Sequence, residues 1–128
     1  MNPENNIEGQ SEKGESIHLE DLRQLANFYM FQNKETAEKA KSKTVADSHE
    51  KIAAQMETNS AMLENFASEG IVGVEQALQY IEDAMQTEKS AEGKNNLMNL
   101  QKFIESHKSK LPANFLKERE KLEKEMGQ

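Results

Sequence analysis

The sequence contains no cysteine and no tryptophan, and it has only two prolines. The absence of cysteine excludes disulfide bonds, thiolate zinc sites and cysteine nucleophiles. Its apolar runs are only a few residues long, far short of the roughly 20 needed to span a bilayer. The first sixteen residues carry four Glu and lack the apolar stretch of a signal peptide. We therefore expect a cytoplasmic protein with no membrane partner.

The motifs of common catalytic and metal sites are also scarce. The three His residues lie in different predicted helices, and none belongs to a His-Glu-x-x-His motif. The six glycines are scattered and build no phosphate-binding loop. No serine lies in a Gly-x-Ser-x-Gly context. The sequence thus predicts a non-enzymatic protein with no catalytic residue, no metal and no cofactor.

Negative charge is concentrated in the middle of the chain. Residues 52–93 contain eight acidic residues and one lysine, whereas residues 94–128 have a net charge of +3. Nucleic-acid binding depends on Lys and Arg that neutralise phosphates. We therefore expect no direct binding of nucleic acid.

Large apolar residues are few, but they recur at helical spacing. Leu, Ile, Val and Phe account for 24 of the 128 residues, so the core is expected to be thin. Steps of three and four residues between apolar positions are typical of amphipathic helices. The predicted fold is all-α: a small bundle of four to five helices over residues 16–128, with one long helix. Residues 1–15 are polar and are predicted to form a disordered tail.

The predicted helix boundaries follow from capping residues and glycines. Helix one is expected to have Ser16 as its N-cap and to end near Asn33, which then caps a long second helix ending at Gly70. Residues 34–43 have little to bury, so they either extend helix two or form a separate short helix.

The second half of the chain predicts three further helices. Helix three is expected to begin near Val74, and helix four to end before Pro112. The polar stretch 87–96, which contains Gly93, is interpreted as a loop, with a continuous helix as the alternative. A last helix is predicted from Pro112 to Met126.

A heptad pattern runs through the second predicted helix. Its seam falls at residues 45, 49, 52, 56, 59, 63 and 66. The polar members His49 and Asn59 are expected to fix the register of pairing. The seam predicts a homodimer through residues 45–66, which would enlarge the thin core.

The run Phe28, Tyr29, Met30 and Phe31 covers more than one face of a helix. Some of these side chains are therefore expected to lie outside the bundle core. We interpret Phe28, Tyr29 and Phe31 as apolar anchors for another protein or for a second copy of the chain. The alternative is that helices two and five close over the run from both sides.

The acidic middle block supports a second hypothesis. Glu57, Glu64, Glu82 and Asp83 are candidates for a negative strip that imitates a nucleic-acid backbone. In general character, small acidic helical proteins of this kind resemble phage inhibitors of host defence and bacterial secretion chaperones. The predicted function is binding to another protein as an adaptor, inhibitor or chaperone. The alternative is a nucleic-acid mimic of phage or mobile-element type that occupies a basic groove on a host nucleic-acid-binding protein.

Overall fold

The computed structural model describes residues 17–127, which form five α-helices. In chain order they are α1 (Leu19–Lys39), α2 (Lys43–Ser68), α3 (Val74–Thr87), α4 (Ala91–His107) and α5 (Ala113–Met126). No β-strand occurs within this described part of the chain. The prediction of a small all-α bundle is therefore confirmed, whereas the tail predicted for residues 1–15 lies outside the described residues.

The first helix begins later than predicted. Its N-cap is His18, not Ser16. The backbone N–H of His18 donates to Oδ2 of Asp21 at 2.9 Å, as in a capping box. The Asp21 carboxylate also lies in the first turn, where the helix dipole favours negative charge.

The same helix ends six residues after Asn33, so the predicted boundary there was wrong. Asn33 lies inside α1, where its Nδ2 donates to the carbonyl of Tyr29 at 2.8 Å. Its Oδ1 lies 2.7 Å from Nδ1 of His49 in α2. Ala37 is buried one turn later. These contacts lie on one face of α1, which therefore continues past Asn33. Both interpretations of residues 34–43 were wrong, because residues 34–39 complete α1.

A three-residue connector joins α1 and α2 into a helical hairpin. Ser42 is the N-cap of α2, and its Oγ accepts a hydrogen bond from the N–H of Val45 at 3.3 Å. The second helix is the longest in the described chain, with 26 residues. It is shorter than the helix predicted from Asn33 to Glu69.

Gly70 terminates α2 as predicted. Its φ of 85° is in the left-handed region, which glycine adopts without steric cost. The N–H of Gly70 donates to Ala67, and the N–H of Ile71 donates to the carbonyl of Phe66 at 2.9 Å. This pair of bonds is a Schellman motif, and the burial of both Phe66 and Ile71 completes it.

The connection between α3 and α4 is much shorter than the loop predicted for residues 87–96. The third helix continues to Thr87, and α4 begins at Ala91. Ser90 caps α4 by accepting a hydrogen bond from the N–H of Gly93 at 2.9 Å. The Glu88 side chain folds over Gly93, where a β-carbon would collide with it. Gly93 therefore lies in the first turn of a helix, with the ends of the Glu88 and Ser90 side chains against it.

One apolar core joins the five helices at the base of the hairpin. It contains Leu19, Leu22, Leu25, Ala26, Leu63, Phe66, Ile71, Ala77, Ile81, Leu97, Leu100, Phe103, Ile104, Leu111 and Phe115. Helix α5 contributes only Phe115 to this cluster. None of the helices within residues 17–127 is long and apolar enough to cross a membrane.

At the end of the hairpin nearest the α1–α2 connector, few apolar side chains are buried. Its buried apolar side chains are Met30, Ala37 and Ala53. The polar pair of Asn33 and His49 lies between them. The hairpin therefore extends beyond the main core, and α1 keeps a free side there.

The contrast between two leucines tests this placement of the core. Leu100 is fully buried, whereas Leu122 in α5 is 48% exposed. We expect Leu100→Ala to lower the free energy of unfolding by about 2–5 kcal/mol, because it leaves a cavity. Leu122→Ala is the matched control and should cost at most about 0.5 kcal/mol. Urea denaturation measures both, and equal losses would contradict this core.

Candidate partner-binding groove

The aromatic run of α1 does not act as a single patch, because successive residues on a helix point about 100° apart. Phe28 packs against Phe115 of α5, with ring centroids 5.5 Å apart. Met30 is buried. Phe31 is 65% exposed. Phe31 is therefore the member of the run that stays exposed.

Tyr29 points to a different part of the molecule. Its ring lies 6.5 Å from that of Phe103 and 5.8 Å from that of His107, both in α4. Burial raises the pKa of its hydroxyl group. The structure thus brings Phe28 and Phe31 to one groove, whereas Tyr29 does not line it, although its ring lies 5.9 Å from that of Phe28.

The groove lies between α1 and α5 and has a volume of about 1070 Å³. We call it the α1–α5 groove. It is lined by Gln24, Asn27, Phe28, Phe31, Gln32, Lys34, Glu35, Glu38, Phe115, Glu118, Arg119, Leu122, Glu123 and Met126. Its apolar residues include Phe28, Phe31, Leu122 and Met126, of which Met126 is 85% exposed. Phe28 packs against the edge of the bundle core, whereas the core does not use Phe31, Leu122 and Met126.

Two side chains near the start of α5 hold it against α1. Phe115 is only 4% exposed and packs against Phe28. Nη1 of Arg119 lies 2.8 Å from Oδ1 of Asp21, and its guanidinium group lies 5.2 Å from the centre of the Phe115 ring. From Glu120 to Gly127 every residue is exposed. The second half of α5 is therefore one wall of an open groove.

Asp21 links the start of α1 to this wall. One carboxylate oxygen accepts from the backbone of His18, and the other binds Arg119. The pair of Asp21 and Arg119 is part-buried, with about a quarter of each side chain exposed. The position of α5 therefore depends on a charged contact as well as on Phe115.

The lining of the groove is more acidic than basic. It has four carboxylates, two from each helix: Glu35, Glu38, Glu118 and Glu123. The basic residues in the lining are Lys34 and Arg119. Arg119 is paired with Asp21, and Glu35 is paired with Lys39 at 3.5 Å. Lys34 is then the lining cation beside Glu38, Glu118 and Glu123. The groove thus combines an apolar floor with a negative rim.

Sequence reasoning placed Leu122 and Met126 in the last predicted helix but missed them as members of a site. The usable signal was their spacing, since positions 115, 119, 122 and 126 share one helix face. That face holds only Phe115 in the core, and Glu118 and Glu123 flank it. An apolar stripe bordered by charged residues is typical of a surface that meets a partner.

A second, smaller cavity of about 340 Å³ lies between α2 and α4. Nδ2 of Asn99 donates to Oε1 of Gln55 at 2.9 Å, and Nε2 of Gln55 donates to Oδ1 of Asn59 at 3.0 Å. Asn59 is only 1% exposed. Gln55 therefore connects α2 to α4 within the same chain, and Asn59 bonds to Gln55 from its own helix.

The predicted heptad seam is divided by the fold. Asn59, Leu63 and Phe66 are buried inside the chain, whereas Val45 and Ile52 are 45% and 41% exposed. Only the first part of the seam is therefore open to a second copy. The homodimer through residues 45–66 stays a prediction.

The four acidic residues of the mimic hypothesis are all exposed. Glu57 and Glu64 are seven residues apart on α2 and share a face, whereas Glu82 and Asp83 lie on α3. Arg23 of α1 is paired with Glu20. That hydrogen bond is the main cause of the raised pKa of Arg23, and the charge of Glu64 adds to it.

Within residues 17–127, no group of three or more His, Asp or Glu side chains is arranged to hold a metal ion. Comparison of the chain with protein-family models, with curated proteins and with solved structures found no match in any of the three. The hypotheses below therefore rest on the geometry of the chain itself.

The role of Arg119 in placing α5 predicts a local effect of its removal. Arg119→Ala should lower the free energy of unfolding by about 0.5–1.5 kcal/mol, because a part-buried ion pair and a cation–π contact are lost. Hydrogen exchange should become faster in α5 and stay unchanged in α2. The exposed Lys121→Ala is the control, and unchanged exchange in α5 of Arg119→Ala would contradict the assignment.

His107 predicts a pH dependence of stability. Burial beside Tyr29 and Phe103 lowers its pKa from the ordinary value of 6.5. Between the folded and unfolded pKa values the unfolded chain binds more protons, so stability should fall as the pH drops below about 6.5. Urea denaturation between pH 7.5 and 5.5 should show a smaller fall for His107→Gln than for the wild type or for Ser106→Ala. An identical fall in all three would remove His107 as the cause.

Proposed function

We propose that this chain is a non-enzymatic protein that binds another protein through the α1–α5 groove, as an adaptor, inhibitor or chaperone. The observation that supports this proposal is the apolar floor of the groove, where Phe31 is 65% and Met126 is 85% exposed. A chain with few large apolar residues leaves several of them together outside its core. Apolar side chains gathered on a surface and rimmed by charge are typical of protein-binding sites.

The walls of the groove suit this role in different ways. The α1 wall belongs to the hairpin, where Phe28 is held by its contact with Phe115. The α5 wall is held at its start and exposed from Glu120 onwards, so it can adjust to a partner. Phe28 thus gives a partner a fixed contact, and the exposed half of α5 can adjust to the shape of that partner.

A double variant tests the groove as the binding surface. In Phe31→Ser/Leu122→Ser two exposed apolar side chains are removed, so partner binding should weaken at least tenfold, because each buried side chain contributes about 1.5–3 kcal/mol. The measurement is capture by the tagged full chain from its native cells, followed by quantitative mass spectrometry. Circular dichroism should show unchanged helicity.

The matched control for this experiment is Val72→Ser. Val72 is 60% exposed, similar to Phe31, and does not line the groove. Proteins that depend on the groove should be retained by this control and lost by the double variant. Equal retention by both variants would contradict the proposal.

The nucleic-acid mimic remains the alternative proposal. It is supported by the exposure of Glu57, Glu64, Glu82 and Asp83. These four residues are divided between α2 and α3, so they support a single binding surface less well than the side chains gathered in the groove. We therefore favour the α1–α5 groove.

A further inference from the structure

Resting on the function proposed above, we infer that the occupant of the α1–α5 groove is a basic amphipathic helix of another protein, about three turns long. The inference follows from three properties of the groove. These are its length, the chemistry of its floor and the charge of its rim.

The length of the groove fits a short helix. On the α5 wall the lining residues run from Phe115 to Met126. Eleven helical steps at about 1.5 Å each give roughly 16 Å, the length of three helical turns. A groove between two helices is a common seat for a third, because its apolar face can lie between both walls.

The floor defines which face of that helix would enter. Phe28 and Phe31 come from one wall, and Leu122 and Met126 from the other. A helix whose large apolar residues recur at i, i+3 or i+4, and i+7 presents a stripe to both walls at once. An extended strand would find no sheet edge, since residues 17–127 contain no β-strand.

The rim defines the charge beside that stripe. Glu35 and Glu38 lie on the α1 wall, and Glu118 and Glu123 on the α5 wall. Arg119 is paired with Asp21 and Glu35 with Lys39, which leaves Lys34 beside the other three carboxylates. Lys or Arg on both sides of the apolar stripe would therefore meet opposite charge on both walls.

The same rim disfavours occupants from this chain itself. Two copies joined groove to groove would bring eight rim carboxylates together, and like charges at an interface oppose association. The first sixteen residues carry four Glu and one Lys, so they would meet the rim with the same sign of charge. Charge complementarity therefore points to a basic segment of a different protein.

Designed peptides test the inference directly on the full chain. The probe is a fluorescent peptide of Leu and Lys, roughly 14 residues long, with Leu on one helix face. A Leu and Glu peptide with the same Leu positions tests the charge, and a shuffled Leu and Lys peptide tests the amphipathic pattern. By fluorescence anisotropy at physiological salt, the first should bind about tenfold or more tightly than either of the others.

Two charge variants assign this preference to the rim. Replacing the four rim carboxylates in Glu35→Gln/Glu38→Gln/Glu118→Gln/Glu123→Gln should reduce the preference to about threefold or less. The matched control removes four negative charges elsewhere, in Glu57→Gln/Glu64→Gln/Glu82→Gln/Asp83→Asn, and should keep it. If both variants weaken binding equally, the peptide follows net charge and the inference is overturned.

The outcomes separate this inference from the function on which it rests. The Leu and Lys peptide and the Leu and Glu peptide could bind equally well, and both could fail to bind the Phe31→Ser/Leu122→Ser variant. That result overturns the basic partner and leaves the groove as a protein-binding site. Absence of binding by both patterned peptides also overturns the inference. The capture experiment with Val72→Ser as control then decides the proposed function separately.

Discussion

A shortage of large apolar side chains is the constraint on which this structure depends. Leu, Ile, Val and Phe make up 24 of 128 residues, and five helices must share them. The chain concentrates its buried side chains at the base of the α1–α2 hairpin, where every helix contributes. The far end of the hairpin and most of α5 are left with one uncovered side each. The open groove is a consequence of this uneven distribution.

Where apolar burial is small, individual polar contacts decide the arrangement. Asp21 caps α1 with one oxygen and binds Arg119 of α5 with the other, so one carboxylate couples a helix start to the groove wall. Asn33 and His49 hold the two helices of the hairpin in register. Such contacts are worth about 1 kcal/mol each, but they are directional and fix positions that a thin core cannot.

Local patterns predicted some boundaries and missed others for identifiable reasons. Gly70 ended α2 as expected, because a residue in the left-handed conformation closes a Schellman motif. Asn33 was misread as a cap, since its side chain instead bonds to Tyr29 and to a helix sixteen residues away. Gly93 was misread as part of a loop, although its N–H donates to the Ser90 side chain that caps α4. Both errors involved side-chain contacts that spacing alone does not reveal.

The sequence by itself determined that the chain is helical, that its core is thin and that aromatic residues crowd one helix end, because periodicity and composition are local properties. Only the tertiary structure decided which of these aromatics remain exposed. Tyr29 turns to α4, Phe28 to α5 and Phe31 to the groove, since each depends on how neighbouring helices are placed. Phe31 and Leu122 are far apart in the sequence. They line the same groove because the Asp21–Arg119 ion pair and the buried Phe115 hold α5 against α1.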